Sequence, residues 1–121
     1  MSNRMILLIN AVIELAGGIV LILYPEVLMM GDRMENLELN LSKMYGIGAS
    51  CIGLLSYLLY RYTEDELLIK YSSLTIIAFH LVLTLHLYGM YSAKIINEPH
   101  ATITHAIIAI VLTLIYLKNV K

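Results

Sequence analysis

Glu14 and the four histidines, His80, His86, His100 and His105, are the side chains through which this chain could do acid–base chemistry. Glu14 lies midway along the apolar run 5–24, and His80 midway along the run 71–90. An acid at the centre of a membrane helix costs about 2.5 kcal/mol or more. A carboxyl group there needs a partner or a task, and an imidazole at the same depth supplies one. Glu14 with His80 therefore forms a first, deep pair: a candidate acid/base or proton-exchange couple. His86 and His105 lie a few residues from one end of their runs and form a second, shallower tier, with His100 near the mouth. The plainer reading of both tiers is an interhelical hydrogen bond that holds helices together.

The spacing narrows the metal and cofactor chemistry. His80 and His86 are six positions apart, about 120° round a helix, so they do not make a ligand pair on one face. No HExxH or CxxCH motif occurs. Neither a metal nor a cofactor is expected; bis-histidine haem ligation by His86 and His105 is the one cofactor option the spacing leaves. Ser-His-Asp spacing and a Gly-rich phosphate loop are both lacking. Net charge is −1, which offers no basic surface to a nucleic acid. Cys51 is the single cysteine, so no internal disulfide can form. It falls on the outward side of its helix and reads as inert.

The elements that must carry these residues follow from composition. Of the 121 residues, 60 % are hydrophobic and 14 % charged. Soluble domains average about 45–50 % apolar and about 25 % charged residues. Crossing a hydrocarbon core of about 30 Å takes roughly 20 mostly apolar residues. Residues 5–24, 41–60, 71–90 and 101–117 qualify, which predicts an all-α integral membrane four-helix bundle in a single domain. The first run is long for a signal peptide and reads as a retained helix. Both termini then lie on one side. Arg4, Arg61, Lys70, Lys118 and Lys121 on that side against Arg33, Lys43 and Lys94 on the other place the termini in the cytoplasm, in the cytoplasmic membrane. Pro25 and Glu26 open a short interfacial helix in the link 25–40, and Thr63 with Glu66 makes a capping box for the third helix.

Helices in a membrane associate through small and polar residues. On the second run Ser42, Gly46, Ala49, Ser50, Gly53, Ser56, Tyr57 and Tyr60 share one face, and Met44, Ile47, Cys51, Leu54, Leu55 and Leu58 the other. Asn10, Ala11, Glu14, Gly17 and Gly18 form the matching stripe on the first. Ser73, His80 and Thr84 form it on the third, and Ala101, His105, Ala109 and Tyr116 on the fourth. A ligand held inside would meet His86, His105, Ser50, Tyr57, Asn10 and Thr84. Nine tyrosines, several near the run ends, suit an interfacial belt.

Two resemblances add to this. The segment Ala16-Gly17-Gly18-Ile19-Val20-Leu21-Ile22-Leu23-Tyr24-Pro25, then Met44-Tyr45-Gly46-Ile47-Gly48-Ala49 with Gly53-Leu54-Leu55, resembles the small four-helix DoxX-like membrane proteins over most of the chain. That implies the four-helix fold and little about activity. Ala11-Val12-Ile13-Glu14 with Gly17 resembles the first helix of the small multidrug resistance transporters. It implies a shared proton and cation site at Glu14, although residues 41–60 lack the Pro and Trp of that family's second helix.

Three functions are therefore open. One is binding of a lipophilic or small polar ligand in a Glu/His-lined cavity, as a membrane enzyme or accessory subunit. Another is proton-coupled export of small molecules through Glu14. The third is a structural subunit without a ligand. The expected partners are the lipid bilayer, a lipophilic ligand, and a second copy or another membrane subunit.

Overall fold

The computed structural model describes residues 3–28, 36–96 and 98–119, with side chains for 3–26, 39–96 and 98–119. Among them there is no strand. The order is α1 (Arg4–Leu23), α2 (Pro25–Leu28), α3 (Asn36–Tyr62), α4 (Glu66–Ser92) and α5 (His100–Asn119). Three of the four long helices, α1, α4 and α5, are long and apolar enough to cross a membrane. The fourth, α3, has the length but not the apolarity, because Gly, Ser and Tyr occupy positions that hold Leu and Ile elsewhere.

Proline ends α1. Tyr24 donates its N–H to the Val20 carbonyl at 2.7 Å, and Pro25, which has no N–H to continue the ladder, opens α2. The predicted short helix is thus present over its first residues; residues 29–35 of that link lie outside the described residues. The link between α3 and α4 is only 63–65, much shorter than the sequence suggests, since each helix runs 27 residues. Thr63 closes α3, its N–H reaching the Leu59 carbonyl at 3.2 Å. Asp65 is the N-cap of α4, its carboxylate accepting from Leu67 N–H at 2.9 Å and Leu68 N–H at 3.1 Å. Asp is at least as good a cap as Thr, and it stands directly before the first helical residue.

The chain divides into two compact units, Leu7–Thr63 and Met1–Ile6 with Glu64–Lys121. In the first, α1 and α3 touch through glycine. A Cβ on Gly18 would lie 2.7 Å from the Gly46 carbonyl oxygen and 2.8 Å from Ser50 N, and one on Gly53 would lie 2.8 Å from Leu15 N. Gly17 and Gly48 face open space. The small-residue face predicted for α3 is the buried one: Gly46, Ala49, Gly53 and Ser56 are buried, whereas Met44, Ile47, Cys51, Leu54, Leu55 and Leu58 are exposed.

In the second unit α4 packs along α5. Ser73 Oγ donates to the Ile69 carbonyl at 2.8 Å and approaches the Asn3 carbonyl at 3.3 Å, and Asn119 Nδ2 donates to Asn3 Oδ1 at 3.3 Å. These bonds tie the start of α1 to α4 and α5. Outward from that seam Leu81, Val82, Leu85, Ile107, Ile110 and Leu114 are exposed apolar residues.

Candidate imidazole-pair site

At the seam of α4 and α5, His80 Nδ1 and His105 Nδ1 are 2.9 Å apart, with the rings nearly stacked at 27° and 5.2 Å between centroids. His80 is fully buried and His105 half-buried. Phe79 sets its ring edge-on to His80 at 5.2 Å. Two nitrogens at this separation share one hydrogen. One ring carries it on Nδ1 and donates; the other offers a lone pair and carries its own hydrogen on Nε2. Moving the shared proton across exchanges the two tautomers only when the donor ring gains a proton at Nε2 and the acceptor ring loses its own from Nε2. A proton arriving at the donor ring's Nε2 can thus be matched by one leaving the acceptor ring's Nε2. In this geometry the pair holds at most one net positive charge, because two imidazolium rings would point N–H at N–H.

The shallow tier expected from the sequence, His86 with His105, is not the one the fold builds. His105 pairs with His80, and His86 is exposed, turned away by its six-residue offset. The depth argument took Met90 and Ala101 as level. From His80 to Ser92 is about 18 Å of helix, and from His100 to His105 about 7.5 Å. α5 therefore starts about 10 Å below the end of α4. His100 is exposed, its Nε2 3.3 Å from Glu98 Oε2, a surface pair of small energetic weight.

Thr84 Oγ1 donates to the His80 carbonyl at 2.7 Å, a hydroxyl satisfied by its own helix. Ala101 is exposed, contrary to its expected inward place. The neighbouring Thr102 takes that place: it is buried, and its Oγ1 has no hydrogen-bond partner among the described residues. Thr102 lies three positions before His105, so the two side chains share a face of α5. Reading Thr102 rather than Ala101 with His105 and Ala109 would have found it, since positions 102, 105 and 109 follow the i, i+3, i+7 rule.

No family model, curated protein or solved structure matches this chain. The site is therefore read from its own residues.

The other predicted residues belong to the unit Leu7–Thr63. Glu14 is 4 % exposed, in the middle of α1 as predicted. Asn10 Nδ2 donates to Ser56 Oγ at 2.9 Å, a buried bond from α1 to α3. Ser50 Oγ is buried against Gly18 and has no hydrogen-bond partner among the described residues. Tyr57 is 41 % exposed and does not line an interior; one residue beyond the buried Ser56, it is turned by about 100°. Among the described residues no group of three His, Cys, Asp or Glu is gathered as a metal site would require.

Proposed function

We propose that this chain is a multi-pass membrane protein that binds a small lipophilic molecule and exchanges a proton with its polar head at the His80–His105 pair. The observation that carries the reading is the Nδ1–Nδ1 hydrogen bond, joined by the unpartnered Thr102 hydroxyl on the same face of α5. A buried hydroxyl without a partner is rare in a finished structure. A ligand head accepting from Thr102 and meeting the imidazoles satisfies it.

The membrane part of the reading has four spans. For α3 the support is its exposed face, since Met44, Ile47, Leu54, Leu55 and Leu58 would meet lipid while the glycines and serines that lower its hydropathy are turned inward. Both termini are cytoplasmic on this reading, by the Lys and Arg bias. Single cysteines at positions 2 and 98, in a Cys51→Ser background, test it with an impermeant maleimide on intact cells. Position 98 labels and position 2 does not; equal labelling of both overturns the topology.

Ligand binding is tested by extracting the protein purified in nanodiscs and identifying retained lipophiles by mass spectrometry. His105→Ala and Thr102→Val lose a species the parent protein keeps. Identical extracts from all three proteins overturn the reading.

Glu14 favours a second reading, proton-coupled export, because a carboxyl buried at mid-helix is the group such a cycle needs. Liposome uptake of a cationic dye that survives Glu14→Gln excludes it.

A further inference from the structure

Helix α4 ends in a way that gives Lys94 an unusual backbone. Lys94 N–H bonds to the Tyr91 carbonyl at 3.0 Å, and Ile95 N–H to the Met90 carbonyl at 2.9 Å. This is a Schellman turn, with Lys94 at the position glycine normally fills. Its φ is 57°, the one positive φ of a non-glycine residue among those described. An L side chain in that conformation crowds the following carbonyl, and glycine there would relieve the crowding. A side chain kept at such a position points to a task.

The surroundings of Lys94 indicate the task. Lys94 lines an open cleft of about 400 Å³ together with Tyr91, Ser92 and Ile96. Among the described residues no carboxylate pairs with its ammonium. Ser92 Oγ gives its hydrogen to the Gly89 carbonyl at 2.9 Å, which leaves Tyr91 as the neutral donor beside the cation. Exposed Ile95 and half-buried Ile96 add an apolar margin. An ammonium, a phenol and aliphatic edges together match a phosphodiester monoanion attached to hydrocarbon.

We infer that the cleft at the C-terminal end of α4 binds the phosphate of an anionic lipid headgroup, with Lys94 as its counter-charge. The inference rests on the membrane reading above, which cysteine labelling tests separately. Its own test is native mass spectrometry of the whole protein released from nanodiscs of phosphatidylglycerol and phosphatidylcholine in equal parts. The parent protein retains phosphatidylglycerol preferentially. Lys94→Gln lowers that retention about fivefold, the weight of one lysine at a membrane surface, and Lys94→Arg restores most of it. Lys94→Gly loses the lipid while melting at a higher temperature. Lys43→Gln, a change at another exposed lysine, leaves retention unchanged.

Equal losses from Lys94→Gln and Lys43→Gln mean diffuse attraction and overturn the site, as does a Lys94→Gly protein that keeps the lipid. Stabilisation of detergent-solubilised protein by millimolar inorganic phosphate, lost in Lys94→Gln and unaccompanied by lipid preference, assigns the cleft to free phosphate and overturns the lipid source.

Discussion

His80 on α4 and His105 on α5 face each other nitrogen to nitrogen at 2.9 Å, twenty-five positions apart in the chain. That bond joins two helices and holds a transferable proton between them. Both consequences can be measured.

The structural consequence is a coupling energy. His80→Ala and His105→Ala each break the bond, and the double variant breaks it once. Interhelical hydrogen bonds in membrane proteins couple by about 0.6 kcal/mol on average and up to about 1.7. A double-mutant cycle by unfolding in mixed micelles should return a value within that range. Strict additivity would mean the rings contribute nothing to each other.

Thr102 separates ligand binding from fold. With its hydroxyl unpartnered, Thr102→Val replaces a buried polar group by a methyl of similar size. The ligand-free protein should gain about 1 kcal/mol in stability while losing the retained lipophile. A destabilised Thr102→Val protein with its ligand intact would show that the hydroxyl serves packing alone.

The glycines of α1 and α3 divide into two kinds. Gly18→Ala drives a methyl against the Gly46 carbonyl and Ser50, and should cost about 1–3 kcal/mol. Gly17→Ala and Gly48→Ala meet open space, and each should gain up to about 1 kcal/mol from helix propensity. Thermal melts of the three variants in one detergent check the order.

Removal of the Asp65 cap should cost about 1 kcal/mol in Asp65→Ala. Hydrogen exchange of the Leu67 and Leu68 amides, faster in Asp65→Ala than in the parent protein, reads the loss directly. Unchanged exchange in Asp65→Ala would show that the carboxylate does not cap α4.

Much of this arrangement was legible in the sequence because helical spacing alone determines it. The buried stripe of α3 and the central burial of Glu14 and His80 needed only a period of 3.6 residues. Partners depend on how far helices overrun one another, and that was not legible. Assigning His105 to His86 assumed that α4 and α5 began level. The start of α5 lies below the end of α4, which sets His105 beside His80, and nothing in the composition of either helix announces that offset. Tyr57 and Ala101 failed by a single position, about 100° of rotation, enough to move a side chain from the seam to the surface. The Asp65 cap was missed although its signal, an Asp directly before the first helical residue, stood in the sequence.

The central claim is that His80 and His105 share a proton in the interior of a membrane protein. Solid-state nitrogen NMR of the histidine-labelled protein in lipid bilayers tests it most directly. The account predicts a through-space correlation between one protonated and one unprotonated Nδ1, assigned to His80 and His105 and absent in His105→Ala. Correlation of His105 with His86, or two rings that each contact water and not each other, would contradict it.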